Sequence, residues 1–178
     1  IYTWMAAGDL SVDFAYRVDE LSLIMTLIIT GVGSLIHLYS IGFMHAQERF
    51  TLFFTYLNLF AFSMLVLVLA GNYLLLFLGW EGVGLCSYLL ISFWFERPSA
   101  ARAGKKAFVT NRVGDFGFML AMFLIFSHLG TLELPAALAG ASDLSAGTAT
   151  AIALLLYVAA ARKRAQGPLF VWLPDAKV

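Results

Sequence analysis

Long stretches without charged residues constrain this chain more than any other feature of its sequence. Residues 21–43 and 50–70 contain no Asp, Glu, Lys or Arg, and a helix that crosses a bilayer needs about 20 mostly apolar residues. Three further stretches contain few charges, so the predicted membrane spans are residues 21–43, 50–70, 73–95, 107–126 and 148–173. Because backbone groups in lipid must be satisfied within their own segment, these spans are predicted to be helices. The predicted fold is all-α, a polytopic membrane helix bundle with about five transmembrane helices.

The composition excludes several other classes of protein. Of the 178 residues, 61% are apolar and 12% are charged, whereas a soluble globular domain has about 25% charged residues. A disordered chain would be poor in aromatic residues, but 15% of this chain is aromatic. The single Cys excludes a disulfide framework, a Cys-ligated zinc site and an iron–sulfur cluster held by this chain alone. Basic and acidic residues number 11 each, which gives no argument for nucleic-acid binding.

The first 20 residues differ from the spans, because acidic residues lie among their apolar ones. An approximate alternation over residues 11–18 indicates a short strand or hairpin at the membrane surface. Basic residues are concentrated in the loops before residue 50 and over 96–106, and positive charge marks the cytoplasmic side. Residues 1–20 are therefore predicted to form an outer-surface N-terminal segment. The chain begins without Met or a basic region, so we expect neither a complete N-terminus nor a signal peptide.

Four charged side chains lie within the predicted spans, where each costs on the order of 2.5 to 3.5 kcal/mol on insertion scales: Glu81, Arg112, Asp115 and Lys163. Glu81 lies near the middle of its span, and no partner for it is present there, so we expect an unpaired acid. Gly79, Gly82 and Gly84 surround it and allow another helix to approach closely. An intramembrane acid is by default a functional residue. The alternative is a protonated acid that hydrogen-bonds to a neighbouring helix.

The other three intramembrane charges allow two interpretations each. Arg112 and Asp115 are three residues apart, so they share a helix face and can pair. They form either a structural ion pair that neutralises itself or part of a functional site. Lys163 is flanked by two further cations, which favours a helix end at the cytoplasmic surface. Alternatively it lies in the membrane interior, where Pro168 would break the helix beside an ion site.

The remaining residues with reactive side chains are weaker candidates. His37 lies within the first span and could carry a proton, whereas His45 and His128 lie at span edges and are predicted to be interfacial. Cys86 is predicted to be a small buried hydrophobic residue. The Gly-Val-Gly sequence at 82–84 is not a dinucleotide fingerprint, because no soluble strand–turn–helix context surrounds it. We therefore expect no cofactor site and no metal site in this chain.

Four motifs carry a family resemblance: IHLYSIGFM at 36–44, GWEGVGLCSYLLI at 79–91, AFVTNRVGD at 107–115 and PLFVWLPDA at 168–176. They resemble, in the same order, segments of the subunit L family of bacterial respiratory complex I, whose mitochondrial counterpart is subunit 5. The segment at 79–91 is the most distinctive, and the resemblance extends over nearly all of the chain. Family members are longer, so this chain is expected to be a fragment or truncated product, with residues 21–178 forming a partial antiporter-like transmembrane domain and without the second half-channel.

The resemblance implies a function and a set of site residues. Subunits of this family move protons through buried Glu, Lys, Asp and water in response to quinone reduction elsewhere in NADH:quinone oxidoreductase. Glu81 matches the key glutamate of the family, Lys163 its partner lysine on a discontinuous helix, and Asp115 an acid near that glutamate. Arg112 and His37 are expected to support them. Lys163 would hold a proton while Glu81 is close and release it when the two separate.

The resemblance also implies partners and a location. The chain is expected to carry no redox centre, with FMN, iron–sulfur clusters and quinone in partner subunits. Expected partners are other membrane-arm subunits, especially the neighbouring antiporter-like subunit, together with the lipid bilayer and no nucleic acid. The expected location is the bacterial cell inner (plasma) membrane. The alternatives are a subunit of a multisubunit sodium/proton antiporter, which shares this helix core, and a purely structural helix scaffold.

The sequence departs from the family pattern at one place. The family has Gly-Lys-Ser-Ala-Gln around its lysine, whereas this chain has Arg162-Lys163-Arg164-Ala165-Gln166. Two additional cations beside a buried lysine raise the free-energy cost of placing this segment in a membrane. Their partners are therefore of direct interest in the structure.

Overall fold

The computed structural model describes residues 2–8, 10–166 and 172–177 of the chain. Within these residues two strands and six α-helices follow one another as β1 (Tyr2–Ala7), β2 (Leu10–Phe14), α1 (Glu20–Met44), α2 (Phe50–Val68), α3 (Tyr73–Ile91), α4 (Pro98–Leu129), α5 (Leu134–Ala139) and α6 (Ala146–Lys163). Short 3₁₀ turns occupy Gly140–Asp143 and Asp175–Lys177. The prediction of an all-α membrane bundle is confirmed. The hairpin indicated near the N-terminus is present, with β1 and β2 paired antiparallel.

Of the described helices, α1 to α4 are long and apolar enough to cross a membrane by length and composition. The fifth predicted span, residues 148–173, corresponds to α6, which has 18 residues and carries two cations in its last turn. Ala165 has a φ of 51°, in the left-handed region, and Gln166 N–H donates to the Ala161 carbonyl at 3.0 Å. A Schellman motif therefore ends α6 before the predicted span does. The predicted discontinuity at Pro168 lies outside the described residues.

The predicted loop over residues 96–106 is wrong, because α4 begins at Pro98 and continues for 32 residues. Pro98 occupies the first turn, where its missing N–H is not required, and the Ala and Lys residues that follow favour helix. The span predicted for 107–126 is therefore the central part of a longer helix, which ends where Gly130 adopts a φ of 67°. The segment between the fourth and fifth predicted spans contains α5 and a 3₁₀ turn.

Close helix packing in the centre of the bundle depends on small residues. α3 packs against α2 and α4, α6 packs against α4, and α1 contacts mainly α2. A Cβ atom on Gly79 of α3 would lie 2.6 Å from the backbone nitrogen of Leu67 on α2. A Cβ atom on Gly114 of α4 would lie 2.9 Å from the Cβ atom of Arg162 on α6. A larger residue at either position would force the helices apart, because protein interiors are already close-packed.

Backbone hydrogen bonds join three separate segments at one end of the bundle. We call this unit the hairpin end, and its segments are residues 13–17, 69–73 and 131–134. Gly71 N–H donates to the Ala15 carbonyl at 3.0 Å, and Tyr73 N–H donates to the Leu132 carbonyl at 2.9 Å. The Asn72 side chain caps α3 and also donates to a carbonyl of the first segment. The short connection between α2 and α3 is therefore hydrogen-bonded to a segment on each side of it.

Candidate functional site

Glu81 lies in the middle of α3, and its partner comes from the next helix along the chain. The Arg112 guanidinium of α4 donates to the Glu81 carboxylate and forms an ion pair with it. The Glu81 side chain is 22% exposed, so this contact lies at the edge of the packed interior. The expectation that Glu81 is unpaired is wrong, because it considers only partners within the same span. An ion pair between helices lowers the free-energy cost of holding a carboxylate in a membrane.

Arg112 also approaches Asp115, as their spacing on one helix face predicts. Their closest nitrogen and oxygen atoms are 3.9 Å apart, farther than in a hydrogen bond. The guanidinium lies over the Phe108 ring, 4.4 Å from its centroid, and the Arg112 side chain is 43% exposed. Asp115 is enclosed by the bundle, with 5% of its surface exposed. Arg112 therefore connects two acids of different exposure, and its closer contact is with Glu81.

Asp115 has a hydrogen-bond donor of its own on α3. Trp80 Nε1 donates to Asp115 Oδ1 at 2.6 Å. A hydrogen bond to an ionised carboxylate is stronger than one between neutral groups, and this one satisfies an acid that is closed off from solvent. No role for Trp80 is predicted from the sequence. The signal that could have identified it is a Trp directly beside an acid within an otherwise apolar span.

Lys163, the last residue of α6, extends its side chain to the middle of α3. Its Nζ donates to the Trp80 backbone carbonyl and lies 4.4 Å from the centroid of the Trp80 ring. A Cβ atom on Gly84 would lie 3.5 Å from this Nζ, so the ammonium lies above a residue without a side chain. This position differs from the surface location that three adjacent cations favour. In the described part of the chain, no ion pair joins Lys163 to Glu81 or Asp115.

The two arginines beside Lys163 are in different environments. Arg162 Nε donates to the Thr110 carbonyl of α4 at 2.7 Å, and the Arg162 carbonyl accepts from Trp172 Nε1 at 3.2 Å. Arg164 follows the end of the helix and is exposed. The three adjacent cations therefore do not crowd into one site, because the helix end directs them to α4, to α3 and to the surface.

The structure does not bring His37 to these residues. His37 lies on α1, which packs mainly against α2, and it lines an apolar cavity of about 220 Å³ between those two helices. Its Nδ1 is 2.8 Å from the Gly33 carbonyl. His45 follows the last residue of α1 and His128 lies in the last turn of α4, so both are at helix ends. Cys86 is fully buried, as predicted.

Three helices assemble a group of side chains that we call the polar cluster: Trp80, Glu81, Arg112, Asp115 and Lys163. When its four ionisable members are charged, two anions balance two cations, which limits the cost of burying them. Gain or loss of one proton leaves one uncompensated charge and changes which partners the remaining groups favour. The cluster can therefore hold a proton and exchange it as its contacts change. Within residues 2–8, 10–166 and 172–177, no group of His, Cys, Asp and Glu could hold a metal ion.

Two family models match this chain. One, described as NADH:quinone oxidoreductase/Mrp antiporter, TM, matches residues 70–178. The other, described as NADH-Ubiquinone oxidoreductase (complex I), chain 5 N-terminus, matches residues 4–54. The first match contains all five members of the polar cluster, and the second contains most of the hairpin and all of α1.

Two curated relatives and one solved structure resemble the chain over almost its whole length. NADH-quinone oxidoreductase subunit L of Mycobacterium tuberculosis is 55% identical over 176 residues, which cover 99% of this chain and 28% of the relative. The protein of the same name from Escherichia coli is 45% identical over 183 residues, with coverage of 99% and 29%. The Mrp complex from Dietzia sp. contains a chain that is 30% identical with a TM-score of 0.85, covering 98% of this chain and 19% of that one. The chain thus spans less than a third of the length of these proteins.

Proposed function

Because this chain belongs to the NADH:quinone oxidoreductase/Mrp antiporter transmembrane family, we propose that it is part of a proton-translocating membrane subunit of NADH:quinone oxidoreductase, respiratory complex I. The observation that carries this proposal is the polar cluster, in which two acids and two bases meet inside apolar helices. Relatives that are 45% and 55% identical are named as subunit L of that oxidoreductase. The likeness to the Mrp complex agrees with a sodium/proton antiporter without favouring it, because the identity there is 30%.

In the proposed mechanism, protons reside on Glu81, Asp115 and Lys163, and Arg112 remains charged throughout. Arg112 pairs with Glu81 in the structure and stabilises its carboxylate. If Glu81 moves from Arg112 toward Lys163, it stabilises the ammonium and leaves Arg112 to Asp115, which is already within 3.9 Å. The reverse movement frees Lys163 to give its proton to buried water. Exchange of one arginine between two acids thus links helix position to proton release.

The proposed surroundings of the chain follow from the same family. We assign it to a bacterial inner (plasma) membrane, with residues 1–20 on the outer side and 21–178 as a partial antiporter-like domain. The basic residues at the start of α4, opposite the hairpin end, support this orientation. Its partners would be other membrane-arm subunits, including the neighbouring antiporter-like subunit. FMN, iron–sulfur clusters and quinone would be bound by partner subunits. His37 lies outside the polar cluster, so any support that it gives to proton movement would come from a separate position on α1.

Replacement of Glu81 in the intact complex tests the proposed function. Glu81→Gln keeps the size of the side chain and removes its charge, so we expect assembly at near wild-type levels. Proton pumping and coupled NADH oxidation in membrane vesicles should fall by about tenfold or more, because a positioned proton-transfer group contributes at least that factor. Glu133→Gln is a matched control, since Glu133 is exposed in the connector before α5. Wild-type pumping by a fully assembled Glu81→Gln complex would contradict the proposal.

A further inference from the structure

Trp80 contacts both charges of the polar cluster that have no ion-pair partner within hydrogen-bonding distance. Its indole Nε1 donates to Asp115 Oδ1 at 2.6 Å. The Lys163 ammonium lies over its ring, 4.4 Å from the centroid, and donates to its backbone carbonyl. One residue therefore contacts a buried acid with its edge and a cation with its face and its main chain.

We propose that Trp80 is a positioning residue that holds Lys163 and Asp115 in a fixed relation, so that Asp115 is the acid linked to Lys163 while Glu81 is held by Arg112. This inference rests on the proposed function, because it assigns the partners within that same site. The negative face of an indole ring attracts an ammonium, most strongly where water is excluded. The indole N–H is a hydrogen-bond donor only. It can therefore hold the Asp115 carboxylate in place, but it cannot take the place of that carboxylate as an acceptor.

The surroundings of Trp80 restrict its movement. The Phe118 ring packs against it at a centroid distance of 5.4 Å, and Phe118 is 4% exposed. The indole therefore cannot rotate away from Asp115 without losing its packing. A Trp that served packing alone would need neither the buried acid at its edge nor the cation at its face.

Two other tryptophans, Trp94 and Trp172, are in different surroundings from Trp80. Trp94 has a cation over its ring as well, with the Arg97 guanidinium carbon 5.4 Å from the centroid, but it is 38% exposed in the turn before α4. The Trp172 indole donates to a backbone carbonyl. Trp94 is thus a matched control, because its replacement removes the same type of cation contact outside the polar cluster.

The experiment uses the intact complex in membrane vesicles with Trp80→Phe, Trp80→Leu, Trp94→Phe and Trp94→Leu. Two quantities are measured: protons pumped per NADH oxidised, and acetylation of the Lys163 amine by membrane-permeant acetic anhydride, quantified by mass spectrometry. Trp80→Phe keeps an aromatic face and loses the N–H, whereas Trp80→Leu loses both. We expect Trp80→Leu to raise Lys163 acetylation and lower pumping by about thirtyfold, the factor that one cation–π contact in a desolvated site provides. Trp80→Phe should give intermediate values, and both Trp94 variants should match wild type.

The two readouts separate this inference from the proposed function. Wild-type Lys163 acetylation in assembled Trp80→Leu overturns the role of Trp80, whatever Glu81→Gln does to pumping. If Trp80→Leu raises Lys163 acetylation while Glu81→Gln pumps protons as the wild type does, the role of Trp80 stands and the proposed function is overturned. If Trp80→Leu does not assemble, Lys163 acetylation in Trp80→Phe tests the role of Trp80 instead. The double variant with Trp80→Phe and Asp115→Asn then supplies a second measurement of Lys163 acetylation. An effect transmitted through Asp115 makes the two substitutions non-additive in Lys163 acetylation, and additive effects would overturn the inference.

Discussion

At the scale of single residues, the four ionisable groups of the polar cluster find their partners on neighbouring helices. Arg112 on α4 meets Glu81 on α3, and Lys163 on α6 meets the main chain of Trp80 on α3. Each contact between helices offsets part of the cost of removing a charge from water. Site chemistry and helix assembly are therefore coupled, because moving one helix changes the partner of a charge.

The two contacts of Arg112 should differ in strength. A double-mutant cycle of Arg112→Gln with Glu81→Gln should give a coupling of roughly 0.5–3 kcal/mol, the range for residues in direct contact. The cycle with Asp115→Asn should give a smaller value, because that pair is 3.9 Å apart and Asp115 has Trp80 as its donor. Exchange of the charges between residues 81 and 112 should accordingly restore more stability than exchange between 112 and 115. Thermal unfolding of the purified complex measures both cycles, and equal couplings would count against the partner assignment.

Asp19 provides a pH-dependent cap at the start of α1. The Ser22 backbone N–H, and then its hydroxyl, hold the pKa of the Asp19 carboxyl below its ordinary value of 3.8. A lowered folded-state pKa means that the cap contributes stability above the ordinary value and loses that contribution as the pH falls through the folded value. Amide exchange at Ser22 should therefore accelerate, relative to amides in the middle of α1, below about pH 3.8. Asp19→Asn keeps a capping oxygen and should abolish this pH dependence, and an unchanged profile in that variant would refute the assignment.

At the scale of elements, α3 is the helix around which the site is organised. It contributes Trp80 and Glu81 and packs against both α2 and α4. Two of its glycines are in different surroundings. Gly79 allows the α2 backbone to approach, whereas Gly84 lies beside the Lys163 ammonium with space for a Cβ atom. Close packing of α3 against α2 therefore requires glycine at position 79 and not at position 84.

Substitution of these two glycines should change stability to different extents. Gly79→Ala places a Cβ atom 2.6 Å from the Leu67 backbone nitrogen, so α2 and α3 must move apart. We expect a loss of about 1–3 kcal/mol, as for other overpacked interiors. Gly84→Ala brings its Cβ atom to 3.5 Å from Lys163 Nζ, an ordinary contact, and should leave stability nearly unchanged. The midpoint of thermal unfolding measures both, and equal destabilisation would show that the glycines share one role.

The sequence allowed the helices and the charged residues of the site to be predicted, but not their contacts. Long uncharged segments locate membrane helices, and a charge within one is conspicuous. The start of α4 at Pro98 differs from the prediction, because its polar residues indicate a loop although their helix propensity is high. The Glu81–Arg112 pair was missed because it depends on how α3 and α4 are rotated against each other. No local pattern encodes that rotation, which packing over the whole length of both helices determines.

At the scale of the whole molecule, the two ends of the bundle are held differently. Backbone hydrogen bonds join the hairpin end. At the opposite end, exposed side chains form ion pairs, with Arg49 and Glu96 2.5 Å apart and Lys106 and Asp175 2.6 Å apart. Exposed ion pairs contribute about 0–1 kcal/mol and are screened by salt. The hairpin end should therefore be the more persistent of the two.

Hydrogen exchange of the reconstituted complex measures this difference. We expect the amides of Gly71 and Tyr73 to remain protected at high salt, because their acceptors are backbone carbonyls. Glu96→Gln, or about 1 M salt, should accelerate exchange over residues 92–97, since each weakens the ion pair with Arg49. The hairpin end serves as the internal control in the same sample. Equal salt sensitivity of both ends would contradict the expectation.

The hairpin end also has a mechanical consequence for α3. Because its first residues are tied to two other segments, α3 can tilt about that end more easily than it can slide along its axis. Trp80 lies about 10 Å along the helix from Tyr73, so a tilt of about 5° displaces it by about 1 Å. That displacement suffices to stretch the 2.6 Å contact with Asp115 beyond normal hydrogen-bonding range. The hairpin end is thus a pivot, and tilting of α3 about it would move Trp80 and Glu81 relative to the members of the polar cluster on α4 and α6.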